Sequence, residues 1–560
     1  MENQNKRTIL WQALALGSVL ALGGCGGSSD DNDLTSDSAS IEGSIFAASV
    51  VGAQVTALDV NGNVIAGPVT TDSSGGYRIS ITNVNLAGDL QFVSSGGTFT
   101  DEASGLATDA AEMSVYVAGG TLSSGDEVHA TPGSTILHQL VMLHGLTLGA
   151  AQEAFANAFS FTPDFSVAPT DATAPGAAAS DEERLAGLRA AVMSQLALDL
   201  GFTAQQQFAL MQALAEDLAD GSLDGQGNNG NVMIPGNLGA LAADIGNRYA
   251  LAIENFRNGN DNSGLNPTQI GTMPFARIAH SATYRFEYVA GAMAAMEGKT
   301  QFKLRVRNLA DDSVASGLNL SLMPKMNMAM HTHSTPMPGN ACTEEGATGD
   351  YNCTVYYLMS SEMAGISMGY WMLNVMAGMN ESVTFYPGVM MGMNGNGRHQ
   401  LKGVNDLLAD MNGGLSARPY FLFKDEVTST MSGHDVSLFV ATRESMMSFP
   451  ALTTGMTLNS GTTSQLDVTS VEVELSTDKL NWSSAVDNGN GYYGVTGLSG
   501  LSNGVAGHVY MKLSVNGELK TTNGELSNEG ACEDPLETEG AALCNYYSTL
   551  NFTPSSGMGM

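Results

Sequence analysis

The sequence predicts a multidomain, mainly β protein with an inserted all-α helical segment. Three observations carry that expectation. Short runs of alternating apolar and polar residues, separated by Gly, Asn and Asp turns, fill residues 41–125 and everything after 282. Between 126 and 255 the apolar spacing becomes helical, as in Thr135 to Leu143, Glu182 to Leu200 and Ala204 to Leu218. A length of 560 residues leaves room for several cores.

The N-terminus reads as an export signal over residues 1–24. Lys6 and Arg7 precede a short apolar run, Ile9 to Leu22, broken by Gln12, Gly17 and Ser18. That run is too short for a stable transmembrane helix. Leu22-Gly23-Gly24-Cys25 resembles a lipobox, which implies that Cys25 is lipidated as the first mature residue; Gly26 at the next position implies outer-membrane sorting. Residues 25–40 form an acidic Gly/Ser/Asp tether with nothing to bury.

Residues 41–125 supply the first set of strands. Gly52-Ala53-Gln54-Val55-Thr56-Ala57, the Asp59 to Asn63 turn and Thr71-Asp72-Ser73-Ser74-Gly75-Gly76-Tyr77 together resemble the prealbumin-like, carboxypeptidase-regulatory-like β-sandwich. The resemblance implies a spacer or adhesion module. Asp59, Asn61 and Asp72 are calcium-type ligands, but hairpin turns use the same residues and are the preferred reading. In the helical segment, His138 lies among apolar residues and is expected to be packed. Asp220-Gly221-Ser222-Leu223-Asp224-Gly225 lacks the spacing of a calcium loop. Residues 256–281 are expected to be a linker.

Residues 282–387 hold the chemistry. Met323-Pro324-Lys325-Met326-Asn327-Met328-Ala329-Met330-His331-Thr332-His333 ends four residues before Met337. Thioethers are soft ligands suited to Cu(I), and imidazole serves both copper oxidation states. Methionine is also a flexible core filler, so packing is the competing explanation. A regular strand would put Met326, Met328 and Met330 on one face and His331 and His333 on the other. A mixed site therefore needs a bend near Met330, or a partner strand. In Tyr370 to Met376, Trp371, Leu373 and Val375 form the core face, leaving Met368, Met372 and Met376 on the other. The expected metal set is Met326, Met328, Met330, His331, His333, Met337, Met368 and Met372, converging around His331, His333 and Met330.

The same segment resembles the YtkA/FixH-like family of small extracytoplasmic β-sandwiches. Its M-P-x-M-x-M-x-M strand is Met323 to Met330, its G-x-Y…M strand Gly349 to Met359, and its closing G-x-W-x-L-x-V strand Gly369 to Val375. The resemblance implies a role in copper handling.

Residues 388–417, with Met390, Met391 and Met393, are expected to be a connector. Residues 418–560 form a second strand-rich module; His434, Met446, Met447 and His508 in it carry almost no spacing signal for a second metal site. Of five cysteines, four remain after Cys25, in two close pairs, Cys342 with Cys353 and Cys532 with Cys544. In an exported chain these read as two disulfide-stapled loops.

A formal net charge of −34 argues against nucleic acid and anionic membrane surfaces as partners. No metalloprotease, P-loop or haem-attachment motif is present, and Gly500-Leu501-Ser502-Asn503-Gly504 lacks the strand and helix of a nucleophile elbow. The expectation is a non-enzymatic, lipid-anchored envelope protein that binds copper, Cu(I) in preference to Cu(II), and serves a copper-dependent envelope partner. The alternative is a structural or adhesion-type lipoprotein with methionine-rich packing.

Overall fold

The computed structural model describes residues 38–291, 294–392, 397–410, 414–526 and 545–555. The export signal, Cys25, Met393, Cys532 and Cys544 lie outside the described residues. The protein is multidomain and mainly β, with antiparallel sheets paired into sandwiches.

In the first unit, Ser38–Ile45 pairs antiparallel with Gly76–Thr82 and parallel with Glu127–Ala130. The facing sheet runs Val64–Thr70, Gln54–Asp59, Leu90–Ser95, Ser114–Val117. Alternation along Gly76–Thr82 buries Tyr77, Ile79 and Ile81 and exposes the residues between them. Gly43 permits the parallel pairing, since a Cβ there would stand 1.8 Å from the Val128 carbonyl oxygen. The sandwich thus extends past residue 125, because the parallel strand is needed to complete its second sheet.

The helical segment follows directly. Thr131 caps Pro132–Met142 and Ser180 caps Asp181–Asp199, each through reciprocal bonds with the residue three positions on. These helices do not form a separate body. Ile41 and Phe92 of the sandwich share one core with Ile136, Leu140, Leu196, Leu214 and Phe256 of the helices. His138 is packed within it: Nε2–H donates to Gln91 Oε1 at 2.7 Å and Ser114 Oγ bonds Nδ1 at 2.9 Å. The Asp59 carboxylate is filled by Asn61 and Asn63 donors, as a turn requires.

The expected linker at 256–281 is instead structured. The helix Ile245–Gly259 crosses its start, Pro267–Ile270 forms a further turn of helix, and Ile278–His280 is an edge strand. That strand opens the sheet Ile278–His280, Tyr284–Ala290, Gly298–Asn308, Asp350–Tyr357, Cys342–Glu344. Opposite it lies Thr332–His333, Leu320–Asn327, Tyr370–Ala377, Glu381–Phe385. Trp371, Leu373 and Val375 are fully buried between the two sheets. Cys342 and Cys353 are direct cross-strand partners joined by a disulfide.

The expected connector also resolves into structure. Arg398–Ala409 is an edge strand of the last sandwich, paired with Leu415–Thr430, and followed by Gly433–Thr442, Tyr492–Leu498 and Val486–Gly489. Val471–Ser476 and Gly507–Val515 lead the facing sheet. An aromatic seam joins the two later sandwiches: Tyr356 stacks on Phe439 with centroids 4.2 Å apart, and its hydroxyl donates to Asp425 at 2.9 Å.

Candidate metal centre at the seam between sandwiches

The methionine-histidine run folds as a hairpin. Asn327 pairs with Thr332 and Met326 with His333, while the Met328 N–H donates to the His331 carbonyl at 3.1 Å. Ala329 and Met330 occupy the corner. Directly opposed residues project to the same face. The reversal therefore places His333 on the face of Met326, which a straight strand would forbid.

His333 is 6 % exposed and sits where that hairpin meets the last sandwich. The Trp371 ring contacts it edge-on at 5.4 Å and Phe449 at 6.5 Å. The Ser334 N–H donates to the Met446 carbonyl at 2.8 Å, drawing the loop before Phe449 over the site. Gly369, just before Tyr370, makes the close strand approach possible. It has φ +119°, and a Cβ there would lie 1.9 Å from the Asn327 carbonyl oxygen.

The tautomer of His333 follows from its neighbours. Nδ1 lies 2.7 Å from the Ser334 carbonyl oxygen, which can only accept, so Nδ1 carries the proton in the neutral ring. Nε2 then presents its lone pair to the Met359 sulfur, 3.4 Å away. Burial pushes the pKa of His333 down, against the bond to Ser334, and His331 and Arg398 lower it further. The Trp371 Nε1–H donates to the Met359 carbonyl at 3.1 Å and fixes that residue's backbone.

This pair fits a soft metal ion. Bonds of about 2.0 Å to nitrogen and 2.3 Å to sulfur at a tetrahedral angle separate the donors by about 3.5 Å. Both donors are neutral, and Arg398 adds positive charge nearby, which disfavours a divalent ion more than a monovalent one. The His331 ring, another donor of the expected set, has its centroid 6.1 Å from that of His333. Among the described residues no group of three His, Cys, Asp or Glu side chains is arranged to hold a metal.

The other expected ligands are dispersed. Met330 is 92 % exposed at the hairpin corner and takes no part, because the turn that brings His333 inward throws Met330 out. Met326 is fully buried opposite both His333 and Trp371 and serves as core. Met328, Met337 and Met368 are half-buried against the same core. Met372 faces the other side, where its sulfur accepts from Asn327 Nδ2 at 3.1 Å and its side chain packs on the helical unit. That face is covered: Arg257 of the helix Ile245–Gly259 donates to the Tyr370 hydroxyl at 2.6 Å, and Asn247 to the Thr384 carbonyl at 2.7 Å. Register puts Lys325, not a methionine, beside Met372.

Met359 is the candidate donor that the expected set does not contain. It follows the Asp350–Tyr357 strand and is separated from His333 by the disulfide loop. No periodicity links the two; only the pairing of sheets does. A cleft of about 690 Å³ adjoins the site, lined in part by Ser334, Met337, Met447 and Phe449. Of the weaker second set, Met446 belongs to this region, whereas His434 Nε2 bonds Asn503 at 2.8 Å in the last sandwich.

No family model matches the chain, and no curated protein matches it.

Proposed function

We propose that the protein is a copper-binding, lipid-anchored protein of the cell envelope that holds Cu(I) at His333 and Met359 and hands it to a copper-dependent envelope partner. The observation that carries this reading is the 3.4 Å approach of the unprotonated His333 nitrogen to the Met359 sulfur inside a buried, aromatic-walled site. Bound there, the ion would act as cargo, held by neutral donors and screened from water by Trp371 and Phe449. The adjoining cleft, with Met337 and Met447 on its walls, offers thioethers along a route of entry. The lipobox at Cys25 supports an outer-membrane anchor.

A second reading, a structural or adhesion-type array of sandwiches, is favoured by the use of Met326 as core and of Met372 as packing against the helices. Cu(I) titration of the mature protein against a chromophoric chelator separates the two. The copper reading expects tight binding that Met359→Leu weakens at least tenfold; the structural reading expects equal, weak competition by both proteins.

A further inference from the structure

The tip of the Thr98–Thr100/Ala107–Asp109 hairpin brings the carboxylates of Asp101 and Glu102 against that of Asp171 in the helical unit. Their surroundings differ in a way that singles out two of them. Asp101 is saturated, accepting from Ser194 Oγ and Gln207 on one oxygen and from the Ser104 N–H and hydroxyl on the other. Asp171 Oδ1 accepts from Thr173 and Ala174. Glu102 is only 6 % exposed, and its Oε1 accepts from the Ala172 N–H at 2.7 Å, but its Oε2 is buried and meets no donor other than the Asp171 carboxyl that faces it. The carboxyl groups of Glu102 and Asp171 are in contact with each other. No lysine or arginine pairs with Asp101, Glu102 or Asp171 among the described residues.

A buried carboxylate oxygen without a donor, pressed against a second carboxylate, is costly unless a proton or a cation lies between them. The site opens onto a cleft of about 440 Å³ walled by Ser104, Thr173, Asn260 and Asn262. That wall supplies oxygen-bearing side chains and room for water, the environment of a hard divalent cation of calcium size. No thioether or imidazole is among these residues, so the soft ion of the His333 site is excluded on donor chemistry.

We propose that Glu102 and Asp171 form a calcium-binding site that fastens the sandwich hairpin to the helical unit. The segments it would join are otherwise held by hydrogen bonds without an ion pair among the described residues. Asn260, at the end of the Ile245–Gly259 helix, donates to the carbonyls of Glu102 and Ala103, and Asn262 donates its N–H to the Ala172 carbonyl at 2.8 Å. Sites of this kind in extracellular modules work at about 0.1–1 mM Ca²⁺. The site is independent of His333 and Met359, so failure of either assignment leaves the other standing.

The test is thermal unfolding and calorimetric titration of the chelator-treated mature protein with CaCl2. Wild type is expected to gain several degrees in Tm at millimolar Ca²⁺ and to bind it in the calorimeter. Glu102→Gln, whose amide can replace the shared proton in donating to Asp171, is expected to fold as the chelated wild type does and to lose the calcium response. Absence of any response in wild type would leave a simple proton-sharing pair and overturn the proposal. An equal response in wild type and Glu102→Gln would place the calcium elsewhere and also overturn it.

Discussion

His333 and Met359 meet across the middle sandwich with nitrogen and sulfur 3.4 Å apart, although twenty-six positions separate them in the chain. The contact exists because a tight turn at Ala329-Met330 folds His333 back over Met326, and because Trp371 holds the Met359 carbonyl. It gives the methionine-rich run one focus.

Copper retention at mildly acidic pH follows from the burial of His333. Its depressed pKa keeps Nε2 unprotonated as pH falls below the ordinary imidazole value of 6.5, and a thioether does not protonate in water. Cu(I) affinity measured from pH 7.5 downward is expected to stay flat past the point where an exposed histidine site weakens. An affinity that drops through pH 6.5 with unit slope would mean that an imidazole other than His333 dominates.

Trp371→Phe is expected to weaken copper binding without removing a ligand. The substitution leaves the Met359 carbonyl without its indole donor, at a stability cost of about 1–3 kcal/mol. Because the Trp371 ring touches His333, wild-type fluorescence is expected to be quenched on copper addition. The variant, which retains Trp482, should show little quenching.

Two buried groups give opposite pH slopes to stability. Burial raises Asp217 from 3.8 to about 7, so the folded state holds a proton that the unfolded state has lost, and stability from this group falls as pH rises across that window. Burial lowers His138 from 6.5 to about 4, so stability from it is full above 6.5 and is lost as pH falls towards 4. Between pH 4 and 6.5 the two nearly cancel. Asp217→Asn is expected to stabilise the protein at pH 7 by about 1–3 kcal/mol and to leave stability rising with pH through the lower window. Denaturant midpoints at several pH values check both signs.

The disulfide Cys342–Cys353 is expected to be oxidised in protein isolated from the envelope, with Cys532 paired to Cys544 and Cys25 carrying lipid. Peptide mapping by mass spectrometry would reveal each. A cross-link between Cys342 and Cys532 would contradict the two-loop arrangement.

Local pattern and tertiary arrangement were unequally visible in the sequence. The alternation at Trp371, Leu373 and Val375 announces a core face because strand period is a local property. The disulfide pairing of Cys342 with Cys353 is legible for the same reason, since short loops close on themselves. The sequence asks for a bend near Met330 but does not say which side chains that bend turns inward, and Met330 lies exposed at its corner. Met372 looked like a ligand because nothing in its own strand announces the helix Ile245–Gly259 that covers it, a contact made across more than a hundred residues. The linker and connector were misplaced because edge strands such as Ile278–His280 and Arg398–Ala409 are short or polar, and acquire their identity from a partner.

The central claim is that copper is bound by His333 and Met359 together. X-ray absorption at the copper K-edge of the Cu(I)-loaded mature protein tests it most directly, in wild type, Met359→Leu and His333→Ala; leucine keeps the side-chain volume and removes only the sulfur. The account predicts a mixed shell in wild type, with nitrogen at about 2.0 Å and sulfur at about 2.3 Å. Sulfur scattering should fall in Met359→Leu and nitrogen scattering in His333→Ala. A wild-type shell lacking sulfur, or one that neither substitution changes, would contradict it.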